Sequence, residues 1–533
     1  MGLAEGWKQR SIAEALAHRA ASDPDTPFLI DDRKVLTFGQ VESQAEALAA
    51  SLHHLGIEAG DRVALILPSC PEFVVGMFAV AKLGGVIVPL NPHFTAHEFQ
   101  YMLRHSEAVA AITAEDLDDL DFLQLFEELM TQLPELQYLV TVGEEDLWYD
   151  DRIFQFEDLI SAGVGKSYPR DAARAESELF AILYTSGTTG KPKGVGLSDR
   201  NLLVPAARTA EGLGLTYGDR VVGLLALSHV FGLGPGILGS LLSGAALILG
   251  ETVEGDTTLD LIERHGATVH YGVPTIFVRE LKAQTASPRD LSTLRCGLVA
   301  GAPVSDELVR AVEAHLLPQL LIAYSLTETS STVCMTGPSD PTEKRHFTLG
   351  RPIEGTEVKV VGPEGENLPE ESIGEIAVRG PGVMSGYYRQ PKETASFFDD
   401  DRYLLTGDLG MVDEDGYVHL VGRRKEVIIR GSVNVYPREV EDRLHSHPAV
   451  DVAAVVGIPD DDLGEAICAC IVPVEGAIVT DQEIRDWCAV TLADHRIPDV
   501  VCFLDALPQT GTGKIRRIEL SRMMREEGRN RRT

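Results

Sequence analysis

Residues 180–195 read FAILYTSGTTGKPKGV. The charge-free run FAILY (180–184) has the length and composition of a buried strand, and it ends in a loop with almost nothing apolar to bury. Thr185, Ser186, Thr188 and Thr189 bring hydroxyl donors to that loop. Gly187 and Gly190 let a ligand approach the backbone closely, and Lys191 and Lys193 add positive charge. Such a loop leaving a strand end describes a cradle for phosphate at the edge of an α/β sheet. Taken alone, the same composition also fits an ordinary flexible loop. It is not a P-loop, which requires G-x-x-x-x-G-K-[ST]. Thr185 stands where the first glycine belongs, and Pro192 where the magnesium-binding hydroxyl belongs.

The flanking chain supplies the sheet. Val41, Ala45, Leu48, Ala49 and Leu52 mark a helix over 39–55, VALILP (63–68) a strand, 71–83 a helix and VIVPL (86–90) another strand. Alternation of this kind predicts a parallel α/β sheet. AALIL (245–249), ATVHYGV (267–273) and CGLVAGA (296–302) continue the pattern. From about 350 the texture changes to short strands with tight turns (VKVV, GEIAVRG, GYVHLVGR), and after Arg423 a smaller α+β unit begins. The expected fold is therefore α/β: a large N-terminal domain, 1–422, with a β-rich subdomain at about 350–422, then a small C-terminal domain, 423–533. Ser11-Ile12-Ala13-Glu14 reads as a capping box opening a first helix, in place of a basic-then-apolar leader pattern. The acidic stretch 115–151 is expected to be a solvated outer helix and loop.

With 81 acidic against 47 basic residues the net charge is −34, which excludes a nucleic-acid partner because nothing would offset phosphate repulsion. A well-solvated acidic surface and an adaptation to high salt both fit this balance. Either way, positive charge must be concentrated wherever an anionic nucleotide binds. Seven cysteines (70, 296, 334, 468, 470, 488, 502) lack C-x-x-C spacing, which points to reduced thiols in the cytoplasm and no zinc site. Residues 221–250 carry no charge and are long enough to span a bilayer. However, seven glycines, Pro235 and the Ser228-His229 pair make the stretch read as strand, turn and buried helix, without a transmembrane span. Peripheral membrane contact stays open.

The segment YTSGTTGKPKGV (184–195) resembles the phosphate-loop signature of the adenylate-forming superfamily: acyl-CoA synthetases, luciferases and the adenylation domains of peptide synthetases. Further segments resemble that family's other signatures, in its order: LSHVFGL (227–233), VAGAP (299–303), AYSLTE (323–328), LTGDLG (405–410), GRRKEVIIRGSVNVYPREVE (422–441) and LPQTGTGKIRR (507–517). One at a time, each has a plain structural reading: a core histidine, a strand end, a tight-turn aspartate, a solvated basic tail. Their order along one chain carries the resemblance. It implies that Thr185, Ser186, Gly187, Thr188, Thr189 and Lys193 bind phosphate, with Thr188 also serving catalysis. His229 would line the acyl pocket and take part in catalysis. Gly301, Ala302 and Pro303 would border adenine, and Tyr324 would stack on it. Thr327 would bond phosphate, and Glu328 would hold Mg2+ in catalysis. Asp408 and Arg423 would grip ribose, Lys425 would be the hinge of a mobile C-terminal domain, and Lys514 the catalytic, nucleotide-binding lysine. Ser325 departs from the usual glycine, and Ser432 and Val433 depart where a pantetheine arm would run.

The implied activity is that of an ATP-dependent carboxylic acid–CoA ligase using ATP, Mg2+ and CoA, as a monomer or homodimer. The apolar stretch 231–244 and VPTIF (273–277) point to a medium- or long-chain fatty acid as substrate, with an aryl acid of the cinnamate or coumarate kind as the alternative. Arg279 raises a third reading, a malonyl-CoA synthetase, in which it would bind a second carboxylate. A stand-alone amino-acid adenylation domain would need an aspartate where Ser228-His229 stand. A luciferase-type oxygenase shares the motif set. A non-catalytic binder would be expected to lack Lys514, Glu328 or Asp408, and all three are present.

Overall fold

The computed structural model describes residues 10–117, 120–143, 150–169, 178–185, 192–223, 225–250, 255–431, 433–460, 462–509 and 515–531, with side chains to 525. The first helix, Ile12–Ser22, starts on the capping box: the Ser11 side chain accepts from the Glu14 N–H while Glu14 accepts from the Ser11 N–H at 2.8 Å. The helix Phe38–His54, strand Arg62–Ile66, helix Pro71–Lys82 and strand Val86–Pro89 then realise the predicted alternation. Contacts divide the chain into two compact units, Met1–Glu357 with Arg379–Arg402, and Val358–Val378 with Tyr403–Thr533.

Among the described residues, the first unit holds two large sheets. The eight-stranded one runs, in spatial order, Gly386–Tyr387, Lys193–Ser198, Leu179–Thr185, Val86–Pro89, Arg62–Ile66, Ala108–Ala114, Tyr138–Val142 and Ile153–Gln155. Its pairings are parallel from Leu179–Thr185 to Ile153–Gln155. The strand Lys193–Ser198 folds back antiparallel on Leu179–Thr185, with Thr185 opposite Lys193, and Gly386–Tyr387 extends that edge. Leu179–Thr185 and Lys193–Ser198 are thus the two strands of a hairpin added to a parallel sheet. The nine-stranded sheet has a parallel centre, in the order Leu320–Leu326, Cys296–Val299, Val269–Gly272, Arg220–Gly223, Ala246–Ile248 and Pro27–Ile30, closed by antiparallel edges.

The charge-free stretch is a strand (Arg220–Gly223), a turn, a π-helix (Gly232–Leu238) continuing into the short helix Gly239–Ser243, and the strand Ala246–Ile248. Residues 230–249 are buried throughout, and no described helix is long and apolar enough to cross a membrane. The acidic stretch differs from expectation. Its helix Phe122–Gln132 is amphipathic and buries Phe122, Leu123, Phe126, Leu129 and Met130 in the core with Phe99, while Tyr138–Val142 is an inner strand. Acidic density hid an apolar stripe at helical spacing.

The second unit contains an antiparallel four-stranded sheet (Glu357–Val361, Gly374–Arg379, Leu404–Val412, Val418–Arg423) and an α+β portion built on the hairpin Val450–Asp460/Gly464–Pro473. Period-two alternation in that hairpin feeds two cores. Ala453, Val455, Ile467, Ala469 and Ile471 face one, and Ala454, Val456, Cys468 and Cys470 pack in the other with Leu520 and Met524.

Two ion pairs, one buried and one partly buried, tie elements together. In the first unit, His270 Nε2 lies 2.8 and 2.9 Å from the two Glu280 oxygens, with exposures of 1% and 0%. Burial opposes protonation of His270, but the Glu280 charge and hydrogen bond outweigh it and raise its pKa. In the second unit, Arg517 donates to Glu441 Oε2 at 2.8 Å and to the Val455 carbonyl at 3.0 Å, and pairs with Glu426 Oε2 at 3.2 Å. A histidine whose native pKa is raised stabilises the fold fully below its unfolded value, about 6.5, and loses that contribution as pH rises through the native value. Chemical denaturation across pH should therefore show stability falling above about pH 6.5, and Glu280→Ala should remove that slope at a cost of about 3 kcal/mol. Arg517→Met should likewise cost about 3–5 kcal/mol by stranding two carboxylates, with partial recovery in Arg517→Met/Glu441→Gln; thermal unfolding of the three proteins checks this.

Candidate active site

Each unit presents its own set of candidate groups. In the first, Thr185 ends the strand Leu179–Thr185, and Ser186, Gly187, Thr188 and Thr189 lie outside the described residues. Lys193 opens the return strand and is only 5% exposed. Its ammonium pairs with Glu393 and sits 4.9 Å from the Tyr387 ring centre and 4.7 Å from that of Phe397. Two aromatic faces and a carboxylate are a known way to hold a desolvated cation. The placement turns the Lys193 charge inward, so as folded it props the base of the loop.

Tyr324 lies near the end of Leu320–Leu326 and is largely covered. Half-buried Thr327 and Glu328 follow in the 3-10 turn Thr327–Thr329. That turn is held tightly. Leu326 N–H donates to Thr329 Oγ1 at 3.2 Å, and Met384 N–H donates to the Glu328 carbonyl at 2.8 Å. Ser330 and Ser331 take φ values of 57° and 108°, strained for residues with side chains, and Ser330 Oγ donates to the Gly382 carbonyl at 2.8 Å. Gly382 is required there, since a Cβ would come within 2.7 Å of the Thr329 oxygen. The Glu328 carboxylate accepts from the Tyr387 hydroxyl at 2.9 Å. Burial, then the Glu328 charge, push the Tyr387 phenol pKa up, so it remains a donor. Gly301, at φ 86°, follows the strand Cys296–Val299, and Ala302 and Pro303 are exposed beyond it. His229 is half-buried in the turn before the π-helix, and its Nδ1 accepts from the Phe231 N–H at 3.3 Å.

In the second unit, Asp408 and Arg423 are directly opposed on neighbouring strands, and Arg423 Nε is 3.0 Å from Asp408 Oδ1. Asp408 is 3% exposed and follows Gly407, whose φ of 75° falls at a register irregularity within the strand Leu404–Val412. Glu375 braces this irregularity, accepting from the Gly407 N–H at 2.9 Å and from Arg424 at 2.6 Å. Arg423 and Arg424 are thus fastened to the four-stranded sheet. Glu426, two residues on, is fastened to Arg517. Burial pushes the Glu426 pKa up against the pull of Arg517 and Arg423. Lys425 sits exposed at the changeover between these two anchorages. Lys514 and Ser432 lie outside the described residues; among the described neighbours, Gln509 bridges Ile515, and Arg516 N–H donates to the Pro508 carbonyl at 2.8 Å.

Sequence reasoning missed Tyr387, Glu393 and Phe397 beside Glu328 and Lys193, and Glu375, Glu441 and Arg517 in the second unit. The Gly386-Tyr387-Tyr388 run after a Gly-Pro-Gly turn was the available signal for the first group. The second group offered none, because an ion pair between residues 76 apart has no local pattern.

The family profile "AMP-binding enzyme" matches residues 16–388, and "AMP-binding enzyme C-terminal domain" matches 439–514. The chain is 35% identical to YngI of Bacillus subtilis (strain 168) over 96% of each chain. It is 32% identical to the mitochondrial medium-chain acyl-CoA ligase ACSF2 of Bos taurus, over 97% of this chain and 88% of that protein. The crystal structure of the anthranilate CoA ligase AuaEII in complex with anthranoyl-AMP superposes with a TM-score of 0.89 at 27% identity, covering 99% of this chain and 100% of that one. The chain belongs to the AMP-binding, adenylate-forming enzyme family, among its AMP-forming acid–CoA ligases.

Proposed function

We propose that this enzyme activates a medium- or long-chain fatty acid with ATP and passes the acyl group to CoA. The observation that supports this choice of acid is the buried, charge-free segment 230–249 directly behind half-buried His229, since an acyl tail needs walls that demand no hydrogen bonds. The similarity to a medium-chain acyl-CoA ligase favours the same reading. Aryl acids are the second reading, supported by the Phe231 and Tyr271 rings stacked 5.8 Å apart and by the likeness to an anthranilate ligase. Arg279 is exposed on the helix Pro274–Ala286, which speaks against its neutralising a second carboxylate in a buried pocket. Burial of all seven cysteines fits a reducing cytoplasm.

The difficulty of the reaction is charge. A carboxylate must attack the α-phosphate of an anionic nucleotide on an acidic protein, so local cations and N–H donors have to screen and align the two. The hydroxyls and backbone of 185–190 would hold the phosphates, Asp408 and Arg423 the ribose, and Lys514 the developing negative charge. No cluster of three or more metal-ligating side chains occurs among the described residues, so Mg2+ would take the Glu328 carboxylate together with phosphate oxygens and water, a donor set it favours. When bound, it would supply charge neutralisation. Attack yields acyl-adenylate and pyrophosphate; the CoA thiolate then adds to the acyl carbon and AMP leaves. Lys514 is needed in the first half-reaction alone, and Lys425, between segments anchored to different partners, is the natural pivot for withdrawing it.

Lys514→Ala should lower ATP–pyrophosphate exchange about 100- to 1,000-fold while still converting supplied acyl-adenylate and CoA to thioester. Lys425→Pro should show the reverse. Equal damage to both half-reactions in both variants refutes the pivot. AMP release with a panel of acids should be fastest with medium- and long-chain fatty acids; preference for aryl acids or malonate overturns the substrate assignment.

A further inference from the structure

Lys193, Glu393, Phe397, Tyr387 and Glu328 form one connected group inside the first unit. Lys193 is the first residue of the strand Lys193–Ser198 and stands opposite Thr185, at the base of the candidate phosphate segment. Its ammonium is buried, pairs with Glu393 and lies over the faces of Tyr387 and Phe397 at 4.9 and 4.7 Å. Those two rings meet edge to face, 5.2 Å apart at 81°. Tyr387 is pinned further by its backbone. It pairs with Val195, and its N–H donates to Thr394 Oγ1 at 2.9 Å. With ring and backbone both fixed, its hydroxyl points one way, donating to Glu328 Oε1 at 2.9 Å.

Burying an ammonium is costly unless it is fully paired, and a surface lysine would bind phosphate without that cost. The geometry calls for another use of Lys193. We propose that Lys193 and Tyr387 are positioning residues for Glu328: Lys193 orients the Tyr387 ring, and the Tyr387 hydroxyl fixes which way the Glu328 carboxylate faces, so that the base of the phosphate loop and the magnesium-binding carboxylate are set as one piece. A hydrogen bond to a metal-binding carboxylate orients it, and losing such a partner typically weakens metal binding about 10- to 100-fold. This inference rests on the reading of Glu328 as the magnesium-holding group, and it assigns Lys193 a role different from direct phosphate contact.

Calorimetric titration of the full chain with a non-hydrolysable ATP analogue, in EDTA and then in Mg2+, tests it. Wild-type protein should bind more tightly with Mg2+, and Glu328→Gln should lose that gain. Tyr387→Phe, which removes one oxygen, should leave affinity in EDTA unchanged and lower the magnesium-dependent gain about 10-fold, with a matching rise in the Mg2+ concentration needed for half-maximal pyrophosphate exchange. Lys193→Met should follow Tyr387→Phe, and Lys193→Arg should restore most of the gain. If Glu328→Gln keeps the gain, the reading of Glu328 fails and this inference with it. If Glu328→Gln loses the gain while Tyr387→Phe keeps it, the inference alone is overturned. Equal weakening of Lys193→Met in EDTA and in Mg2+ overturns it for Lys193, as that is the signature of a direct phosphate ligand. Should Lys193→Met fail to fold, Tyr387→Phe decides the question.

Discussion

One antiparallel pairing, Thr185 against Lys193, brings together the two described ends of the candidate phosphate segment. A glycine- and hydroxyl-rich sequence offers almost no apolar side chains to bury, so the anchorage of the residues on either side carries the weight. Here both ends are strands of one hairpin, with successive partners from Leu179–Ser198 to Thr185–Lys193. The hairpin is in turn sewn to a parallel sheet through Ala181 and Ile87. The short strand Gly386–Tyr387 then covers the hairpin's outer edge and brings Tyr387 beside both Lys193 and Glu328. The sheet edge that might have been a liability is paired and given chemistry.

The same logic governs the few cations of this acidic chain. Several described basic groups are covered against carboxylates: Lys193 against Glu393, and Arg517 against Glu441 and Glu426. Such pairs add little net stability compared with apolar packing, but removing one member is expensive, so they specify which segments lie together. In residues 423–426 this specification has direction. Two consecutive arginines are tied to carboxylates on the four-stranded sheet, and the glutamate two residues later to an arginine at the start of the last helix, with Lys425 between.

The parallel sheets were legible in the sequence because their strands are buried on both faces and read as short apolar runs, as VALILP, VIVPL and CGLVAGA do. The helix Ile12–Ser22 was legible because its cap is local, a serine and a glutamate three residues apart. Signatures such as AYSLTE and LTGDLG named Glu328 and Asp408 because the chemistry sits on the residues themselves. What escaped was whatever depended on distant partners. Tyr387 is 59 residues from Glu328, and Glu393 is 200 from Lys193. The buried face of the helix Phe122–Gln132 escaped for another reason: its core-facing stripe is interleaved with acidic neighbours, and net charge over a window masks a three-to-four-residue period.

The sequence by itself determined the class of fold, the order of the chemical segments along it and the candidate groups they carry, since apolar period, capping and motif spacing are all written within a few residues. Tertiary structure alone decided how those groups are aimed. That Lys193 faces two aromatic rings, that a phenol sets the direction of Glu328, and that Arg423 meets Asp408 across a strand pair follow from burial and register between segments far apart in the chain. A buried charge takes the partner that the fold brings within reach, and no local pattern names that partner in advance.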